Sequence, residues 1–308
     1  MKRRKRRQHT PPLWGRVKTA CIAALLVCNV LLLAVFGADA AYDAVLARQM
    51  RSSMDSLLAQ RGVLCGSSVY RTLDTPPQAY TMRMDSGVQS AFANAVLTGT
   101  VQSGADKGNA TVWTGENGSL RWAASGAVTG SFALRSLPEP RSSDEAQKLI
   151  VGLLETSGIS VRKNQVTASQ YNTEYIVKVT QYVGRTELLG CSLTFSISEG
   201  NETTLDGKWC TGGAEPLSVR ALESYSAQQA VFRLIEAQPS VAQIISAQPV
   251  YVLSDRSGGR FTAIPCWRFS ADAGDFVMNI LTGDVVASAD IDAEPDVEPD
   301  AAGSAVWE

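Results

Sequence analysis

Residues 20–36, ACIAALLVCNVLLLAVF, form an apolar run whose one strongly polar side chain is Asn29, set between Lys18 and Asp39. Seventeen such residues lie at the lower limit for crossing a hydrocarbon core of about 30 Å at about 1.5 Å per residue. The run is read as a membrane helix occupying residues 19–38. It divides the chain into a short basic beginning and a long globular remainder.

Charge orients the helix. Lys2, Arg3, Arg4, Lys5, Arg6, Arg7, Arg16 and Lys18 precede the run with no acidic residue among them, and Asp39 and Asp43 follow it. An excess of Lys and Arg is retained on the inner side, so residues 1–18 are expected to be a basic cytoplasmic tail. The expected location is the cell membrane, single-pass, N-terminus cytoplasmic and bulk extracytoplasmic, with the tail attracted to anionic membrane lipids. Cleavage is the alternative, because Ala38-Asp39-Ala40 has the small-x-small form of a signal-peptide site. The run exceeds the roughly 7 to 15 residues of a signal h-region, which favours an uncleaved anchor. A lipoprotein site is disfavoured by Val27 ahead of Cys28, where a small residue is wanted.

Beyond the run, the remaining 20 basic residues face all 30 acidic ones, and seven of those acids lie in residues 287–308, which hold no Lys or Arg. The folded part is only mildly acidic and offers no nucleic-acid face. Residues 287–308, containing DAEPDVEPDAAGS, lack the apolar side chains that offset ordering entropy and are expected to be an acidic disordered tail.

Tyr42, Leu46, Met50, Met54, Leu57 and Leu58 recur at spacings of three and four, and Gly62 is placed to stop the helix they predict. One nearly continuous rod over residues 17–61 is expected. Its stripe suits packing on the exported domain, or a seam with a partner's juxtamembrane helix. Val88, Phe92 and Val96 predict a second helix, residues 98–109 a Gly- and Ser-rich loop, and residues 111–113 and 120–122 a hairpin across Gly115-Glu116-Asn117-Gly118.

Pro138-Glu139-Pro140 is the best candidate boundary. After it, Ser142 and Glu145 fit a capping box, and Ala146, Leu149, Ile150, Leu153 and Leu154 form one face before Gly158. Strands are expected at 175–183, 188–197 and 205–209. A further helix opens at Ser226 and Gln229, carries Val231, Leu234 and Ile235, and stops before Pro239; strands follow at 250–253, 261–269, 276–280 and 285–286. The fold class is α+β: an N-terminal single transmembrane helix, then helices packed on antiparallel β-sheets in two or three tandem units. The expected divisions are 39–137, the juxtamembrane helix with a first exported unit; 138–214, a second; and 215–286, a third.

The lone histidine is His9, so the exported part has no Ser-His-Asp or Cys-His pair and no imidazole ligand. No phosphate-loop, dinucleotide or calcium-loop pattern occurs, and no spacing marks a carboxylate pair. No catalytic residue, cofactor or metal is expected, and the chain is read as not an enzyme.

Cys21 and Cys28 lie in the apolar run, and Cys65, Cys191, Cys210 and Cys266 in the part expected to be exported, where disulfides are permitted. A two-residue turn at Gly200-Asn201 would set Cys191 opposite Cys210, but it pairs Leu193 with Lys208 and Phe195 with Asp206. Shifting by one places Leu205 and Trp209 on the face of Leu193, Phe195 and Ile197 and separates the cysteines. Packed thiols are favoured over that bridge, which stays open.

Trp14-Gly-Arg-Val-Lys-Thr19 running into Leu-Leu-Val-Cys28-Asn29-Val-Leu-Leu resembles the start of the YycI/YycH type of two-component-system regulatory protein, as does Leu57-Leu-Ala-Gln-Arg-Gly-Val63. Ile264-Pro-Cys-Trp267-Arg-Phe with Phe276-Val-Met-Asn279-Ile-Leu-Thr-Gly283-Asp-Val resembles the same proteins and PepSY-like modules, which makes 215–286 the PepSY-like unit. The basic extension ahead of Leu13 departs from that type. The resemblance implies a non-enzymatic accessory protein whose partners are a sensor histidine kinase controlling Gram-positive cell-wall metabolism and a sister accessory membrane protein. Asn29 is singled out, since an amide in hydrocarbon gains about 0.6 to 2 kcal/mol from a partner across a helix interface. Cys28, Leu32 and Trp14 complete the candidate partner-binding set, Trp14 also suiting a headgroup anchor.

Overall fold

The computed structural model describes residues 13–66, 69, 78–106, 109–135, 137–217, 224–256 and 260–292. Residues 1–62 form one compact unit and residues 63–308 another. In the first, α1 (Leu13–Gln60) is one unbroken helix of 48 residues, ended by Gly62 at φ +74°. The rod expected over residues 17–61 is therefore present, and the apolar run and the juxtamembrane stripe share one axis. Among the described residues, no helix is long and apolar enough to cross a membrane. The side chains of Ala23 and of residues 30–36, half of the apolar run, lie outside the described residues.

The second unit is sheet-rich α+β, with a few helices packed on a large sheet of 15 described strands. In chain order its elements are β1 (Leu64–Cys65), β2 (Tyr80–Arg83), α2 (Ser86–Val96), β3 (Gln102–Asp106), β4 (Ala110–Gly115), β5 (Gly118–Trp122), β6 (Ala127–Ala133), α3 (Ser143–Thr156), β7 (Val166–Tyr171), β8 (Glu174–Val183), β9 (Thr186–Ile197), β10 (Glu202–Lys208), β11 (Glu215–Pro216), α4 (Ala227–Ala237), β12 (Gln243–Arg256), β13 (Arg260–Ala271), β14 (Gly274–Asn279), β15 (Val285–Ala287) and α5 (Ser288–Asp292). Strands from residues 39–137, 138–214 and 215–286 all join this sheet, in the order β11-β2-β13-β12-β9-β10-β6-β5-β4-β3.

Three long strands, β9, β12 and β13, hold it together, because each divides one edge between two neighbours, β1 and β9 in the case of β12. β9 pairs β8 along one edge; on the other, Glu187 to Leu189 pair in parallel with β12 and Leu193 to Ile197 pair antiparallel with β10. β13 pairs β12 on one edge and, end to end on the other, β2 at 260–263 and β14 at 266–271. Proline lacks the N–H a ladder needs and is tolerated where pairing lapses. Pro265 falls between the β2 and β14 segments, and Pro249 sits just outside the Val250 to Val252 stretch that meets β9. The sequence-predicted strand at 250–253 thus extends through Pro249 in both directions.

Local chemistry accounts for the helices. Ser226 and Gln229 open α4 as expected and do so through a reciprocal capping box; Ala227, Ala230, Val231, Leu234 and Ile235 of the helix are buried. At α3, Ser142 accepts the Glu145 N–H as expected, but the Glu145 carboxylate takes the Arg141 N–H instead of the Ser142 one. α3 packs on β7, β8 and α2. The main core lies there: Phe92, Trp122 and Phe195 meet edge to face, with Ile150, Leu154, Val177, Val179 and Leu193 around them.

The hairpin across Gly115-Glu116-Asn117-Gly118 forms as the turn residues predict, with Trp113 opposite Leu120. The expected loop at 98–109 instead contains β3, exposed at every position and joined to β4 by backbone pairing, which leaves no apolar alternation to read. Of the tail expected to be disordered from residue 287, residues 288–292 form α5, and Ile291 packs near Leu189 and Val250. Residues 293–308 lie outside the described residues.

Candidate functional site

Asn29 and Cys28 are both exposed on α1, about 100° apart around its axis. The side chains of Trp14 and Leu32, named with them, lie outside the described residues. Ile22, Leu25, Leu26 and Val27 are also exposed, at 59% to 64%. Three consecutive positions sweep about 200° of a helix, so the exposed apolar surface covers more than half of the circumference of α1 there and is not a narrow stripe. Further along, Tyr42, Leu46, Met50 and Leu57 of the expected stripe are exposed.

The second unit carries two concave features. One is a groove of about 910 Å³ along α3, walled by the segment around Pro138-Glu139-Pro140. Its apolar lining is Leu137, Pro138, Pro140, Leu149 and Leu153, and Glu139, Arg141, Glu145 and Lys148 stand around it. The wall is pinned at three points. Asn201 Nδ2 donates to the carbonyls of Leu134 at 3.2 Å and Leu137 at 2.8 Å. Gly200 N–H donates to Glu139 Oε1 at 3.0 Å, and Arg141 N–H to Glu145 Oε2 at 2.8 Å. The segment marked by its prolines as a domain boundary is thus one side of a preformed groove.

The other is a smaller cleft of about 300 Å³ bordered by Gln165, Gln181, Tyr182, Cys210, Thr211 and Gly212. The β8–β9 register shifts between Thr180 and Tyr182, and an irregularity of this kind re-aims the side chain within it. Gln181 is that side chain; its amide meets the backbone of Cys210, just past the end of β10. Gly212 closes against Arg83, whose carbonyl oxygen an added Cβ would meet at 2.0 Å.

Cys191 and Cys210 are both buried, in one cluster with Met82, Leu188 and Phe261, and are not joined by a disulfide. β9 and β10 pair in the register the apolar pattern favours, Leu205 opposite Phe195 and Gly207 opposite Leu193. Burial pushes the Cys210 thiol up to about 11, against lowering by the Gly212 N–H and Lys208. Burial raises Cys266 as well. Both are packed, protonated thiols, poorly suited to nucleophilic chemistry.

No group of three or more His, Cys, Asp or Glu placed to hold a metal occurs among the described residues. Glu139 and Glu145 both line the α3 groove, and each accepts a backbone N–H. Sequence reasoning missed the groove, whose signal was the proline pair beside a capped helix, and missed Gln181, whose role depends on a register break.

No family model and no curated protein matches the chain. Among solved structures, an uncharacterized protein from Eubacterium rectale is 10% identical, with a TM-score of 0.42 over 68% of this chain and 86% of its own. The Bacillus megaterium YpeB C-terminal domain is 12% identical, with a TM-score of 0.33 over 67% of this chain and 98% of its own. The YycI/YycH resemblance therefore rests on the residues that carry it, without support from these comparisons.

Proposed function

We propose that the chain is a membrane-anchored extracytoplasmic accessory protein that regulates a sensor histidine kinase of a cell-wall two-component system by protein–protein contact. The observation that carries this reading is α1, a single helix running from the basic segment through the apolar run into the exposed Tyr42, Leu46, Met50 and Leu57 stripe. An apolar surface over more than half of a helix's circumference suits lipid or a helix bundle, and Asn29 beside it suits a hydrogen bond to a neighbouring span. A continuous helix also transmits displacement along its axis, so a partner bound at both levels would have its conformational equilibrium biased through differential contacts. The residues resembling the YycI type direct the choice of a kinase and a sister accessory protein as partners, and those at 264–285 the PepSY-like assignment of the last unit.

In-cell photocrosslinking from position 29 and its neighbours tests the reading. Capture of a kinase or a sister accessory protein is expected, and capture of neither from any position would sink it. The α3 groove favours a second reading, a passively anchored envelope domain that binds a ligand. Replacing residues 20–36 by an unrelated span separates the two, because signalling is lost for a helix-mediated regulator and kept for a passive anchor.

A further inference from the structure

The α3 groove is built and unfilled by the described chain. Its wall is held by the Asn201, Gly200 and Arg141 hydrogen bonds, so it needs no partner to form. On its helical side Gly152 is exposed, and a Cβ added there meets nothing within 4 Å. The charges are unequal in their engagement. Glu139 and Glu145 each accept a backbone N–H, while the exposed Arg141 and Lys148 side chains make no ion pair among the described residues. Arg141 immediately precedes the α3 N-cap, Ser142, and Lys148 lies in the second turn of the helix, so the two cations come from different parts of the groove's rim. Such a groove takes an extended peptide with an apolar side chain between spaced carboxylates.

Residues 293–308 have that composition: Glu294, Asp296, Glu298, Asp300 and Glu308, no Lys or Arg, and Val297, Val306 and Trp307. Pro295 and Pro299 predispose the acidic stretch to polyproline II, at about 3.1 Å per residue, so binding would order it at reduced entropic cost. Reach is sufficient. α5 packs near Leu189 on β9, and the groove wall is tied to Gly200 and Asn201 beyond the strand's far end. Those eleven residues of strand and turn span about 36 Å, against about 50 Å for sixteen extended residues.

We infer that the α3 groove is a peptide-binding site and that its occupant is this chain's own segment 293–308, with Trp307 or Val306 on the Leu137, Leu149 and Leu153 lining and carboxylates at Arg141 and Lys148. The segment is then a cap that a competing peptide must displace. This goes beyond the proposed role of α1 and does not depend on it.

The test uses the purified full-length protein carrying Trp307→p-benzoylphenylalanine, with crosslinks mapped by mass spectrometry, and a second variant with the same substitution at position 306. At least one variant is expected to give an intramolecular crosslink to residues 137–156. Gly152→Phe fills the groove from an open position, so it is expected to abolish that crosslink without lowering the thermal midpoint. Combining Arg141→Glu with Lys148→Glu should lower the yield about threefold, the size two exposed ion pairs carry. Absence of crosslinks in both variants, attachment elsewhere, attachment only between two chains, or indifference to Gly152→Phe would each overturn the inference.

Discussion

Gln181 Nε2 donates to the Cys210 carbonyl at 2.6 Å, and Gln181 Oε1 accepts from the Cys210 N–H at 2.9 Å. The side-chain amide stands in for a strand neighbour where β10 has ended, and both residues are buried. Gln181→Met keeps the bulk and removes both partners, leaving a buried donor and acceptor to be satisfied. The expected loss is about 2 to 4 kcal/mol, read from the urea midpoint at unchanged slope. A change below about 1 kcal/mol would show that the contact is dispensable.

Stability should fall at both ends of the pH range, for different groups. The Arg268 side-chain hydrogen bond leads the lowering of the Asp275 carboxyl below its ordinary 3.8, with Ser270 adding to it and partial burial opposing. A lowered folded value stabilises above the unfolded pKa and is lost as pH drops below about 4 through the folded value. At the alkaline end, burial raises Cys210 from 9.0 to about 11, and burial with Tyr80 raises Tyr251 from 10.0 to about 12. The folded state keeps these protons longer than the unfolded chain, so stability declines as pH rises from 9 towards 12. Denaturation midpoints across pH should show both limbs, and Asp275→Asn should flatten the acid one.

The four cysteines after residue 62 should all alkylate in denaturant without reductant, and intact mass should show four additions beyond those at Cys21 and Cys28. In the native protein, Cys191, Cys210 and Cys266 should react slowly, because they are buried and Cys210 and Cys266 are held protonated. A mass two protons short, resistant to alkylation, would establish a bridge.

Gly152 lies within α3, where glycine costs backbone entropy and an added methyl finds open space. Gly152→Ala is expected to raise stability by up to about 1 kcal/mol, seen as a higher thermal midpoint. A lower midpoint would mean that the groove needs the glycine.

The caps, stripes and turn residues determined the helices and the tight hairpin from the sequence alone, because their causes are local. Ser226 with Gln229, Ser142 ahead of α3, and the Gly115 to Gly118 turn each act within a few residues. The register of β9 on β10 was legible too, since a slip by one would turn Phe195 and Leu205 to opposite faces. Tertiary structure decided how these pieces combine. Nothing in the spacing of β12 shows that its edge is shared by β1 and β9, because non-local pairing is fixed by backbone hydrogen bonds, not by side-chain period. β3 was invisible for the same reason, being held by backbone pairing with no buried side chain. The groove and the Gln181 to Cys210 contact belong to that second class: one needs Asn201 brought to Leu134 and Leu137, the other a register break that turns a single amide inward.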